Sequence, residues 1–396
     1  MHIAMVGTRG VPARYGGFET AVDEVGRRLA AAGHRVVVYC RTAKDGGTTP
    51  PDSYLGMELV HLPAARKRSL ETLSHTALSV AHLVRHRTDV AFVFNAANAT
   101  LLPAIRAARI PVATHVDGLE WQRAKWGGAG RRYYRTAESL AVRWSDALIA
   151  DAQGIADYYR REFDAPTTLL TYGAPLIEPG ADRLAELGLE PGGYHLVVAR
   201  FEPENHVDVI VDGYRRSSAT KPLVVVGSAP YSDEYTARVH GLADDRVRFL
   251  GGVWDQTQLD QLYSNCFTYL HGHSVGGTNP SLLRALGGGA AVLAFDVDFN
   301  REVTAESGHY WRTADDVAVL VAEAEAAPSR VHADGARARE LATGYDWDDV
   351  AAGYEQLARR LAARDVPERR PSGRRIAGGP TSGPAVTSSA GVTATS

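Results

Sequence analysis

The chain has 396 residues, 45% of them hydrophobic, enough for two cores rather than one. Its 43 basic and 46 acidic side chains leave a formal charge of -3, which gives no global bias towards nucleic acid, and its local basic clusters match no nucleic-acid module. Cys40 and Cys266 sit far apart in apolar surroundings, so neither a disulfide framework nor a metal site is suggested.

The opening MHIAMVGTRG lacks the charged and long apolar regions of a signal peptide, and no apolar run nears the roughly 20 residues of a spanning helix. The expectation is a cytoplasmic protein, with peripheral contact at the inner face of the plasma membrane left open. HIAMV (His2–Val6) reads as a short buried strand, followed by GTRGVPARYGG and a helical period in which Phe18, Ala21, Val22, Val25, Leu29 and Ala32 share one face. Gly33 is placed to end that helix, and HRVVVYC supplies the next strand. Further strands are expected at MELVHL, DVAFVFN, IPVATHV and ALIA, with helices between several of them. A second series follows at HLVVAR, PLVVVGS, VRFLGG, CFTYLHG and AAVLAFD. This alternation predicts two α/β domains whose functional loops lie at the carboxyl ends of parallel strands. The expected division is 1–178, 179–345, a final packed helix over 346–366, and a Gly, Pro, Ser, Thr and Ala-rich tail over 367–396 that is expected to be disordered.

Gly7, Gly10, Gly16 and Gly17 depart from the G-x-G-x-x-G spacing of a dinucleotide site, and no acidic residue ends the next strand. The accompanying Arg9, Arg14 and Tyr15 favour a cradle for a polar substrate or phosphate over a loop that merely turns the chain. His115, Asp117 and Glu120 follow an apolar strand and suit a ligand crevice, although His115 equally suits a satisfied buried histidine. From Trp121 to Arg135 basic and aromatic residues interleave, and Arg66, Lys67 and Arg68 form a second patch. Both fit anionic lipid headgroups or a phosphorylated acceptor, or else a solvated charged face.

In HGHSVGGTNPSLLRAL, Pro280 suits a first helical turn and Asn279 a cap, which aims the backbone N–H groups of residues 278 to 282, Pro280 excepted, at an anion such as pyrophosphate. Arg284 lies one turn further on, and Arg200 ends a neighbouring strand as a bidentate cation or as a salt-bridge partner. Asp296 and Asp298 in DVD lack a third ligand cluster, so a loop role or a sugar hydroxyl contact is expected there rather than a metal. Glu302 is equally suited to capping a helix and to contacting a transferred sugar.

GTRGVPARYGGFET, VDGLEWQRAKW, VARFEPEN, HGHSVGGTNPSLL and AFDVDFNREV, in this order over almost all of residues 1–360, resemble the rhamnosyltransferase-like subgroup of the family 4 glycosyltransferases. The resemblance implies a GT-B fold of two facing Rossmann-like domains with a C-terminal crossover helix, the first domain taking the acceptor and the second the nucleotide sugar. It implies that Gly16 and Gly17 approach the donor phosphates or sugar, that His115 lies near the reacting sugar, and that Arg200 neutralises pyrophosphate. Gly277, Thr278 and Asn279 would meet the phosphates. Retention of anomeric configuration without a bound metal is likewise implied. Three positions depart from the pattern: Arg284 and Gly276 stand where the wider family has glutamates, and Asn205 is the nearest candidate for a missing lysine. Arginine cannot accept a hydrogen bond from ribose hydroxyls.

The expected activity is therefore transfer of a hexose or deoxyhexose to a glycan, a polyprenyl-diphosphate sugar or a small metabolite, with no tightly bound cofactor. The donor would be dTDP-L-rhamnose or a UDP-sugar. A nucleotide-sugar-binding protein with weakened catalysis is the alternative that Arg284 motivates.

Overall fold

The computed structural model of the chain describes residues 1–13, 16–42, 51–65, 68–116, 118–123, 126–178, 180–227, 233–365 and 371–376. The first domain runs β1 (His2–Val6), α1 (Gly17–Ala31), β2 (Arg35–Arg41), β3 (Ser53–Tyr54), β4 (Met57–Leu62), α2 (Arg68–His86), β5 (Val90–Phe94), α3 (Leu102–Ala107), β6 (Val112–His115), α4 (Gly128–Trp144), β7 (Ala147–Ala150), α5 (Gln153–Phe163) and β8 (Thr168–Leu169). Its sheet has the order β3-β4-β2-β1-β5-β6-β7-β8, parallel except for the short β3–β4 hairpin. Helices cover both faces of such a sheet, so its central strands are apolar throughout: VAFVF of β5 is buried at every residue.

The second domain continues β9 (His195–Val198), α6 (Val207–Arg216), β10 (Leu223–Val226), α7 (Asp233–Leu242), β11 (Val247–Gly251), α8 (Gln256–Ser264), β12 (Thr268–His271), α9 (Pro280–Gly287), β13 (Ala291–Phe295), α10 (Asp298–Thr304), β14 (Gly308–Trp311), α11 (Ala314–Ala326) and α12 (Pro328–Ala342). Its parallel sheet has the order β11-β10-β9-β12-β13-β14. The strand order reverses between β1 and β5 in one sheet and between β9 and β12 in the other. At such a switch point the loops leaving adjacent strands diverge and open a crevice at the carboxyl ends.

The last helix, α13 (Trp347–Ala362), returns to the first domain, where it packs on α1 and sets Tyr354 edge-on to Phe92 of β5 at 5.1 Å. Asp346 caps it by accepting from the Asp348 amide. Residues 371–376, within the stretch expected to be disordered, depart from that expectation. Arg375 pairs with Glu138 of α4 and, at 2.8 Å, with Glu162 of α5, and the Ile376 amide donates to the Glu162 carbonyl at 2.8 Å. Composition marks this segment as a poor core former, but one guanidinium meeting two buried carboxylates fixes it in place.

Candidate functional site

The crevice is built from loops that leave β1, β6 and β7 on one side and β9, β12 and β13 on the other. Gly16 caps α1 with φ 112°, a left-handed conformation that favours glycine. Gly17 then begins the helix directly opposite the first turn of α9: a Cβ added to Gly17 would lie 3.6 Å from Pro280 Cγ and 3.2 Å from Tyr172 Oη. The N-termini of α1 and α9 thus face each other across the two domains. Asn279 caps α9, its Oδ1 accepting from the Ser281 amide at 2.9 Å. Among the described residues the amides of Gly276, Gly277, Thr278 and Asn279 donate to no backbone group, which leaves a row of N–H groups at a positive helix end.

His115 ends β6 and is 2% exposed, enclosed by Phe18, Phe94 and Tyr172 at ring distances of 5.0, 5.7 and 6.2 Å. Burial pushes its pKa down to about 3, so the imidazole is neutral, and its Nδ1 has no hydrogen-bond partner among the described residues. A neutral ring in that position can accept or donate one hydrogen bond but carries no charge to the reacting centre. His271, at the end of β12, is buried and lowered to about 3 in the same way. His273 is also held well below the usual imidazole range by burial, with the neighbouring Arg123 adding to it.

Arg200 follows β9 with its side chain half exposed, 3.7 Å from Glu202. Asn205, expected at the donor, has both ends of its amide engaged within its own domain. Nδ2 donates to the Arg200 carbonyl at 2.8 Å, and Oδ1 pairs with His273 Nδ1 at 2.8 Å. It ties the loop after β9 to the loop after β12, and so holds Arg200 in register with the α9 N-terminus.

Glu120, expected at the sugar or acceptor, is paired instead. Arg123 Nε lies 2.5 Å from its carboxylate, and Trp126 Nε1 donates to it at 3.2 Å. Arg123 also crosses the cleft, with Nη1 3.1 Å from Glu204 and 3.8 Å from Glu202. Burial raises the Glu204 pKa, and Arg123 opposes that shift. The acids of FEPEN and the arginine of DGLEWQR are visible in the sequence, but nothing in either segment tells that they meet.

Other expected site residues also lie at the seam between the domains. Gly277 sits against Asp151, where an added Cβ would be 2.1 Å from Oδ1, and Thr278 Oγ1 donates to the Asp151 carbonyl at 2.6 Å. Gly118 meets Gly276 backbone to backbone: a Cβ there would fall 2.1 Å from Gly276 Cα. Glu302 accepts from the Gln153 amide at 2.8 and 3.1 Å through its two oxygens, and thereby caps α5 of the opposite domain. Asp296 pairs with Arg301 at 2.5 Å and with Arg312 at 3.0 Å. Arg14, Tyr15 and Asp117, together with Arg66, Lys67 and Lys125, lie outside the described residues. Among the described residues no group of three or more His, Cys, Asp or Glu side chains could hold a metal ion, and no helix is long and apolar enough to cross a membrane.

Arg284 forms an ion pair with Asp260 of α8. It stands on the wall of a cleft of about 310 Å³ between α1, α9 and the chain entering α13, which Arg27, Arg28, Asp346 and Trp347 also line. The side chain therefore points to an acid on the neighbouring helix.

Residues 16–173 match the glycosyl transferase 4-like domain, and residues 193–327 match the glycosyl transferases group 1 domain. No curated protein sequence matches the chain. Among solved structures, sucrose-phosphate synthase from Thermosynechococcus elongatus superimposes with a TM-score of 0.79 at 20% identity, over 92% of this chain and 99% of the other. HepE from Anabaena, in complex with UDP and glucose, gives 0.71 at 16% identity over 91% and 99%. The E. coli trehalose-6-phosphate protein bound with UDP-2-fluoro glucose gives 0.67 at 11% identity over 94% and 100%. At these identities the likeness is one of fold, and that fold is GT-B.

Proposed function

The chain is a family 4 glycosyltransferase of GT-B fold, and we propose that it moves a hexose or deoxyhexose from a nucleoside-diphosphate sugar to a glycan or lipid-linked acceptor, with retention and without a bound metal. The facing N-termini of α1 and α9 carry this reading. The amides of residues 276–279, which donate to no described backbone group, and Arg200 at the neighbouring strand end support it, as sources of partial and full positive charge for a leaving diphosphate. As the bond from the anomeric carbon to the phosphate oxygen breaks, these groups stabilise the charge that develops on the oxygen. The acceptor oxygen forms the new bond, and its proton passes to the departing phosphate on the same face. Neutral His115 serves as a hydrogen-bonding wall for the sugar.

The donor is dTDP-L-rhamnose or a UDP-sugar; the UDP and UDP-sugar complexes of structurally similar proteins support the latter. The engagement of Arg284 by Asp260 favours one alternative, a nucleotide-sugar binder with weakened catalysis. A small secondary metabolite is a further acceptor class. The exposed Arg131 and Arg132 of α4 support contact with an anionic membrane surface, which cosedimentation with anionic but not neutral vesicles tests. The deciding experiment supplies dTDP- and UDP-sugars with lipid-linked and soluble acceptors and follows products by mass and by anomeric NMR coupling. One sugar added with the donor's configuration is expected. Inversion would overturn the mechanism, and donor binding without transfer to any acceptor would favour the binder.

A further inference from the structure

The outer face of α2 is apolar where a water-facing helix is ordinarily charged. Between Glu71 and Arg85 the helix carries no Asp, Glu, Lys or Arg. Leu70 is 49% exposed and Leu78 43%, and Ala77 and Ala81 on the same stripe are also exposed. The face turned to the sheet instead buries His75, Thr76 and Ser79 along with Val80 and Leu83. A surface helix keeps its polar side chains for the water, and here polar residues lie inside while leucines lie outside. Single exposed leucines are ordinary, but an uncharged stripe of about three turns marks a contact surface.

Charge decides what covers it. Both ends of α2 are basic: the sequence sets Arg66, Lys67 and Arg68 at its start, and Arg85 and Arg87 are exposed at its end. The connections β4–α2–β5, β5–α3–β6 and β6–α4–β7 cross the sheet in one direction, so their helices share one face of it. Residues 96–101 and α3 lie between α2 and α4, and Tyr133 of α4 donates its hydroxyl proton to the Ala97 carbonyl at 2.7 Å. The exposed Arg131 and Arg132 of α4 thus belong to the same layer as the α2 stripe. A second copy seated on α2 would bring cation against cation whether the helices ran parallel or antiparallel, whereas anionic headgroups match both ends. We propose that α2 is an interfacial helix that lays Leu70 and Leu78 into the headgroup boundary of an anionic membrane, with the arginines of α2 and α4 held at the phosphates. Both helices begin at carboxyl ends of strands, on the rim of the crevice, so docking there turns the mouth of the first domain to the headgroup layer, where the sugar of a lipid-linked acceptor stands. For that substrate the inference rests on the proposed function; the docking itself does not.

Cosedimentation with vesicles of phosphatidylglycerol and phosphatidylcholine, and of phosphatidylcholine alone, is measured for wild type, Leu70→Ser/Leu78→Ser and Arg131→Gln/Arg132→Gln, with folding checked by circular dichroism. Wild type is expected on the anionic vesicles, with a part of its binding that survives high salt. The leucine pair should lower the partition constant about ten-fold and remove that salt-resistant part, and the arginine pair should weaken binding at low salt. Leu78→Cys, labelled with an environment-sensitive dye, should shift its emission to the blue on anionic vesicles. Unchanged binding by the leucine pair, or a dye that stays in water, overturns the role of α2 and leaves only the electrostatic contact of α4. A lipid-free dimer by light scattering that the leucine pair dissociates assigns the face to a second copy and also overturns it. Vesicle binding as expected, but with no transfer to any acceptor, would overturn the proposed function and leave the docking face standing.

Discussion

Glu302 of α10 closes the first turn of α5 in the other domain, one carboxylate oxygen 2.8 Å from the Gln153 amide and the other 3.1 Å from it. A carboxylate at a helix N-terminus satisfies an orphan N–H and complements the helix dipole, which together are worth about 1 kcal/mol. Here that energy favours the closed cleft over an open one. Glu302→Ala is therefore expected to enlarge the radius of gyration measured by X-ray scattering while leaving each domain folded. An unchanged radius would show that the other seam contacts hold the domains without it.

The main architecture was legible because parallel strands buried on both faces read as apolar runs, and DVAFVFN, IPVATHV and HLVVAR are strands where expected. The strands without such a signal, β3 and β8 at two residues each and β14 as GHYW, were not expected. Within the site, Asn279 and Pro280 declare themselves through local capping chemistry that depends only on neighbours in sequence. The partners of Glu120, Glu302 and Arg284 do not, because each lies on an element whose placement follows from tertiary packing. Arg375 shows the same limit, since its value lies in two acids more than 200 residues earlier.

His115 provides a test through pH. Its folded pKa of about 3 lies below the value near 6.5 of an unfolded imidazole, so folding favours the neutral ring. The stabilisation is complete above about pH 6.5 and is lost as pH falls from there, at up to about 1.4 kcal/mol per pH unit per histidine. His271 and His273 act in the same direction. Denaturant midpoints should fall as pH drops from 6.5 to 5, and His115→Asn should make that decline shallower. Parallel slopes would mean that the ring is solvated. Because His115 is already neutral, the activity profile between pH 6 and 8 should show no limb that His115→Asn abolishes.

Arg375 is expected to matter for stability rather than for transfer. Its guanidinium meets Glu138, Glu162 and the Tyr158 hydroxyl, and lies over the Phe163 ring at 4.6 Å. Burial raises the Glu138 pKa, an effect that Arg375 opposes. Arg375→Ala leaves that carboxylate without its cation and should cost about 2–3 kcal/mol at neutral pH. The sign with pH follows: Glu138 is neutral in acid, and its ionised form is the one that suffers. The deficit should therefore shrink as pH falls through the raised folded pKa towards that of an unfolded glutamate. Urea titrations at pH 7.5 and pH 5 check it, and a deficit that grows in acid would refute the assignment.

Arg200 is expected to act on the chemical step. On the proposed donor-site role, Arg200→Ala removes a full charge from beside the leaving diphosphate, and a loss of about 2–4 kcal/mol in transition-state stabilisation is expected. Steady-state kinetics with the best donor measure this as a drop in kcat/KM. Near-normal turnover by a folded variant would leave the α9 amides to carry the diphosphate alone.

The pair of Arg284 and Asp260 sharpens the question of which nucleotide is used. Arginine offers ribose hydroxyls no acceptor, and a glutamate in its place would. Arg284→Glu alone would set two carboxylates against each other across α8 and α9, and their repulsion would obscure any gain at the nucleotide. The informative protein is Arg284→Glu/Asp260→Asn, in which the new carboxylate is no longer opposed by Asp260. Only UDP carries a 2′-hydroxyl, so the double variant should raise the kcat/KM ratio of a UDP-sugar to the dTDP donor of the same sugar by about ten-fold, even where both absolute values fall. Asp260→Asn alone, which keeps the arginine, should leave that ratio as it is in the wild type. If the ratio stays fixed in the double variant, residue 284 does not reach the ribose, and the ion pair serves only to bind α8 to α9.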